Sequence, residues 1–100
     1  MVTTLNKENG KATAAVKGRF TTNEAAGFLK DIEPLVNEKF EEITLDLSEL
    51  EFISSAGIRC FVMLLKSCNA NGSKLTLKNL TPQLKDIFTL TALIDKFNVE

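Results

Sequence analysis

The chain has 100 residues, 44% of them hydrophobic, enough to bury the core of one domain spanning residues 1–100. Its 12 basic and 13 acidic side chains leave a net charge of −1, which removes the electrostatic case for nucleic-acid binding. With no histidine there is no ordinary catalytic triad and no imidazole metal site, so neither a metal nor any other cofactor is expected. No apolar run reaches the roughly 18 residues that a membrane span needs. The first residues, Met-Val-Thr-Thr-Leu-Asn-Lys-Glu, lack the apolar segment of a signal peptide, so a cytoplasmic location is expected.

Residues 3 to 20 read as a β-hairpin turning at Asn9-Gly10, because a type I′ turn needs positive φ at both positions. In the second arm Ala12, Ala14 and Val16 alternate with Lys11, Thr13 and Lys17, with Ala15 ambiguous. Gly18 ends the alternation and Phe20 anchors the exit. Thr21 or Thr22 then caps a helix with Glu24 in its first turn, where the helix dipole favours acid. That helix carries Phe28, Leu29, Ile32, Leu35 and Val36 on one face. Pro34 inside it removes a backbone hydrogen bond, so a bend or an early stop is expected there.

Residues 38 to 42 form a polar connection, and Ile43 to Leu47 a short strand with Ile43, Leu45 and Leu47 on a buried face. Asp46 falls on the opposite face, near the strand's C-terminal end. The next apolar residues, Phe52 and Ile53, lead directly into two hydroxyls, Ser54 and Ser55. A helix follows, with Ile58, Phe61, Val62, Leu65 and Cys68 at helical spacing and Met63 and Leu64 widening the buried face. Gly72 suits a left-handed helix stop. Lys74 to Leu80 alternates as a strand. Thr81-Pro82 opens a last helix, a cap followed by proline at the first helical position. That helix is expected to reach Phe97, after which Asn98-Val99-Glu100 either adds a short strand or frays.

Cys60 and Cys68 stand eight residues apart on one helix, about 12 Å at a 1.5 Å rise, too far for a disulfide. Both read as small core residues of a reducing cytosol. No Gly-x-x-x-x-Gly-Lys or Gly-x-Gly-x-x-Gly loop is present. Asp46, Glu49 and Glu51 are the acids nearest the serine pair, and alternation of this kind is more often a solvated face than an acid–base pair. No nucleophile–base constellation is visible, so an enzyme is not expected.

Ser54 or Ser55 is a natural N-cap, its oxygen accepting a free N–H of the helix's first turn. The same free N–H groups and the positive end of the helix dipole tolerate a phosphate. Gly57 costs a first-turn helical position about 1 kcal/mol relative to alanine, so close approach by another surface is expected to be its reason.

The run from Ile43 to Arg59, Ile-Thr-Leu-Asp-Leu-Ser-Glu-Leu-Glu-Phe-Ile-Ser-Ser-Ala-Gly-Ile-Arg, resembles the signature of the STAS domain, and more narrowly that of bacterial anti-sigma factor antagonists. Ser-Ser-Ala-Gly-Ile-Arg is its specific core; elsewhere the likeness is one of pattern and spacing over nearly the whole chain. Ser54 stands where many members carry Asp, and Thr21 where the family often has Asp. The resemblance implies an α/β fold with a four- or five-stranded mixed sheet and helices packed mainly on one face. It implies a switch protein: the unmodified form binds an anti-sigma factor that is also a serine kinase of the GHKL type, which frees a sigma factor. Phosphorylation of Ser55 by that kinase ends the binding, and a PP2C-type phosphatase restores it. The partner surface implied comprises Thr21, Asp46, Ser54, Ala56, Gly57, Ile58 and Arg59, with Asp46 near enough to Ser55 to repel an added phosphate. The alternative is a STAS module never phosphorylated, a scaffold or the accessory subunit of a lipid-transport ATPase, with Ser55 serving only as a cap.

Overall fold

A computed structural model describes residues 1–100. Strands β1 (Val2–Glu8) and β2 (Lys11–Phe20) form the hairpin. Asn9 and Gly10 turn it with φ of 49° and 78°, the two positive values a type I′ turn requires. From there the chain runs through a 3-10 turn (Thr22–Glu24), α1 (Ala25–Asn37), β3 (Glu42–Asp46), β4 (Leu50–Ile53), α2 (Ser55–Asn71), β5 (Lys74–Lys78), α3 (Pro82–Leu90) and β6 (Asn98–Val99). The sheet order is β1-β2-β3-β5-β6, antiparallel between β1 and β2 and parallel elsewhere, with β4 added in parallel to the far end of β2. The mixed sheet with helices is thus present, and the chain's last residues do form a strand.

Register explains which face is covered. Ala12, Ile43 and Leu75 lie side by side, as do Ala14, Leu45 and Leu77, and all six are buried. The alanines of β2 keep that face low where the helices pack. The opposite face carries the row Asn6, Thr13, Thr44, Thr76 and Asn98, polar throughout. Helices supply Phe28, Ile32 and Leu35 from α1, Phe61 and Leu64 from α2, and Leu84 and Phe88 from α3 to one continuous core. Aromatic contacts link them: Phe20 to Phe28 at 4.9 Å, Phe20 to Phe61 at 5.9 Å, and Phe61 to Phe88 at 6.3 Å between ring centres.

Several sequence expectations need correction. Strand β4 stands where the sequence alone shows only an apolar lead, Phe52 and Ile53, into the serines. Its buried residues are Leu50 and Ile53, three apart, so it shows no two-residue alternation. It pairs with β2 only after a register shift between Gly18, at φ 98°, and Arg19. Neither Thr21 nor Thr22 caps α1: the 3-10 turn intervenes, Thr21 makes no side-chain cap bond, and the helix begins at Ala25. Pro34 does not stop α1, which continues to Asn37. The carbonyl left without a donor belongs to Lys30, an exposed residue where water can substitute. Met63 is 51% exposed, because the buried stripe of α2 runs through Gly57, Cys60, Phe61, Leu64 and Cys68.

The ends of the later helices are locally fixed. Gly72, at φ 75°, and the Ser73 N–H bond to the Cys68 carbonyl (2.8 Å) close α2. Thr81 caps α3 by accepting from the Leu84 N–H at 3.3 Å. This helix ends at Leu90 and not near Phe97. The Thr89 and Thr91 hydroxyls donate to the carbonyls of Lys85 and Ile87, and Ala92 takes a φ of 58°. Phe97 is buried all the same, set edge-on to Phe88 at 5.7 Å from outside the helix.

Candidate partner-binding and phosphorylation site

The serine pair sits where the end of β4 becomes α2. The Ser54 N–H donates to the Phe20 carbonyl at 2.8 Å, which continues the β2–β4 ladder by one residue. Ser54 is extended (φ −83°, ψ 169°), and its hydroxyl accepts from the Gly57 N–H at 3.2 Å. Its carbonyl accepts from the Ile58 N–H at 3.0 Å. Ser54 is therefore the cap, which decides between the two hydroxyls. Ser55 is the first helical residue, exposed, and its hydroxyl bonds to nothing in the protein. The N–H groups of Ser55 and Ala56 are the donors of the first turn left without a partner.

The residues expected around Ser55 divide. Thr21 directly follows Phe20, so it lies beside Ser54, and its carbonyl accepts from the Glu24 N–H at 3.0 Å. Ala56 and Ile58 are half-buried and Arg59 is exposed one turn along α2. Gly57 is buried, and the surface that approaches it is the protein's own. A β-carbon there would fall 2.7 Å from Ile53 Cγ1 and 2.9 Å from the Phe20 ring. The glycine thus serves the packing of α2 against Ile53 and Phe20.

Asp46 is not brought to the motif. It pairs with Ala15, whereas Ser54 is held at Phe20, five residues further along β2 and roughly 16 Å away at 3.3 Å per residue. Its carboxylate instead accepts from the Ser48 N–H at 3.1 Å and the Asn79 side-chain amide at 3.2 Å, tying the β3 exit to the β5 exit. The Ser48 backbone bond, with help from Asn79 and Lys78, holds the Asp46 carboxyl below its ordinary value against the opposing effect of burial.

Sequence reasoning missed one neighbouring pair. Arg19 and Phe52 face each other across β2 and β4, with the guanidinium 4.7 Å from the ring centre and Phe52 partly exposed. Only the β2–β4 pairing makes them neighbours, and no local signal announces that pairing. Burial pushes the Cys60 thiol up and the Cys68 thiol to about 11. No group of three or more His, Cys, Asp or Glu side chains is arranged to hold a metal, and no helix is long and apolar enough to cross a membrane.

The family model described as the STAS domain matches residues 5–100. The chain belongs to the STAS domain family. Among relatives of this STAS domain is the Bordetella bronchiseptica protein named "Putative anti-sigma factor antagonist BtrV", 26% identical over 99 residues, which cover 99% of this chain and 85% of that protein. An anti-sigma factor antagonist from Mycobacterium paratuberculosis superposes with a TM-score of 0.87 at 19% identity, over 98% of this chain and 83% of that one. The anti-sigma factor antagonist SpoIIAA in its unphosphorylated form superposes with a TM-score of 0.84 at 14% identity, over 99% and 88%. At such identities the structural likenesses establish the STAS fold, with its mixed sheet and covering helices.

Proposed function

We propose that this STAS domain is an anti-sigma factor antagonist whose binding to an anti-sigma factor is switched off by phosphorylation of Ser55. The observation behind this reading is the division of labour between the two serines. Ser54 takes the cap, so Ser55 is left exposed, unbonded and free to be modified without loss of a structural hydrogen bond. The relatives' names favour an anti-sigma factor as the partner.

In the proposed cycle the partner is also a GHKL-type serine kinase. The Ser55 hydroxyl oxygen attacks the γ-phosphorus of ATP, the new O–P bond forms as the bond to the β–γ bridging oxygen breaks, ADP leaves, and the hydroxyl proton passes to a base of the kinase. A PP2C-type phosphatase reverses the modification by transferring the phosphoryl group to water. The phosphoryl group adds about −1.5 to −2 charges and three acceptor oxygens. At the first turn of a free helix it is welcome, but inside a packed interface its charge must be stripped of water. Because Asp46 points elsewhere, exclusion of the partner rests on this desolvation and on the partner's own charges. The protein's outer surface for the partner comprises Ser55, Thr21, Ser54, Ala56, Ile58 and Arg59, with Gly57 supporting it from beneath.

Incubation with the cognate anti-sigma kinase and ATP, followed by mass mapping, tests the assignment. One phosphate per chain on Ser55, absent from Ser55→Ala, is expected. A phosphate on Ser54 overturns the choice of residue; no phosphate at all favours a scaffold or transporter-accessory role.

A further inference from the structure

We infer that Arg59 is the internal receiver of the Ser55 phosphate, so that modification both adds negative charge and withdraws a cation from the same face of α2. This rests on the phosphorylation reading above and names the residue that governs its outcome.

Ser55 and Arg59 are four residues apart on α2, the spacing that stacks two side chains on one helix face. Both are exposed, whereas Gly57 and Cys60 point into the core. An acidic group placed four residues before a basic one is the favoured order of such pairs. The guanidinium fork matches phosphate oxygens two at a time.

Nothing else occupies Arg59. The ion pairs of the protein use the Met1 amine, Lys7, Lys11 and Lys17, and Arg59 makes no hydrogen bond. The chain's other arginine, Arg19, rests over Phe52. Among the neighbouring acids, Glu24 on the turn before α1 faces the Met1 amine at 3.8 Å, and Glu51 lies exposed on β4. The cap itself, Ser54, is neutral and its oxygen is turned to the Gly57 N–H. Before modification the first two turns of this helix face therefore offer a partner one unpaired cation, with the exposed Lys66, likewise outside any ion pair, seven residues further along α2. Afterwards that cation is engaged and the start of the helix face, at Ser55 and Arg59, is net negative.

The test places phosphoserine at position 55 during translation, in otherwise wild-type protein and in Arg59→Gln, so that no kinase is needed. Phosphorus NMR then follows the phosphate's second ionisation. With Arg59 present the midpoint should lie lower than in Arg59→Gln by a few tenths of a pH unit, and molar salt should shrink that difference. Circular dichroism verifies that the variant, altered at an exposed position, is folded. Identical midpoints in the two proteins would overturn the inference, since the helix end alone would then hold the phosphate. Failure of a kinase to modify Ser55 would instead sink the functional reading and leave this titration standing.

Discussion

Gly57 and Phe20 touch so closely that a β-carbon on the glycine would lie 2.9 Å from the Phe20 ring, with Ile53 Cγ1 at 2.7 Å on another side. Phe20 cannot yield, because it is fully buried between Phe28 and Phe61. This contact sets the depth at which α2 starts against the β2–β4 ladder, and with it the position of Ser55.

Gly57→Ala should therefore destabilise the fold, despite alanine's helix preference of about 1 kcal/mol over glycine. Overpacking a closed core typically costs about 1–3 kcal/mol. A net loss of about 1 kcal/mol lowers the melting temperature of a domain this size by about 4–8 °C. Thermal unfolding followed by circular dichroism measures it. A variant as stable as wild type would mean that Phe20 and Ile53 can move aside.

Asp46 makes the second case, with a pH signature. Its carboxyl is held below the ordinary value of 3.8, chiefly by the Ser48 N–H. A carboxyl depressed in the folded state stabilises the fold at pH above its unfolded value and loses that contribution as pH falls through its folded one. Asp46→Ala should cost about 1 kcal/mol near neutral pH, the net worth of a partly exposed hydrogen-bonded group. In urea unfolding the gap to wild type should narrow below about pH 4. A gap of constant size would show that the loss comes from packing and not from the charge.

The two cysteines should be silent in the native protein. Both are 2% exposed, and burial raises both thiols, Cys68 to about 11, so the thiolate that reacts is scarce at neutral pH. A chromogenic disulfide reagent should titrate two thiols per chain in denaturant and none in the native state faster than unfolding allows. Rapid native reaction of either would reveal local opening of α2.

Much of this architecture was legible where a local rule fixes backbone conformation. Asn9-Gly10 announced the hairpin, Gly72 the end of α2, and Thr81-Pro82 the start of α3. What escaped depends on distant partners. Strand β4 exists because β2 extends past β3 and Gly18 permits a register shift, neither of which is written in Leu50–Ile53. The end of α3 escaped because Leu93, Ile94 and Phe97 keep helical spacing while Ala92, a residue with no stop signal, takes positive φ. At the site, the motif marked the serine pair but left open which hydroxyl caps. The bond from the Ser54 N–H to the Phe20 carbonyl and the Ser54 cap decide it. Asp46 looked close to Ser55 in sequence, and the turn through Leu47–Glu49 carries it away.

The most direct measurement is the affinity of the proposed partner, an anti-sigma factor, for the unmodified protein and for protein carrying phosphoserine at position 55, each with its melting temperature. Arg59 neutralises only part of the phosphate's charge of about −1.5 to −2, and burial of the uncompensated remainder in an interface costs about 2–5 kcal/mol, so the phosphorylated form should bind roughly 30-fold more weakly or worse. Its melting temperature should match or slightly exceed that of the unmodified protein, since the first turn of α2 accepts the charge. Equal affinities for the two forms would contradict the claim that Ser55 is the switch.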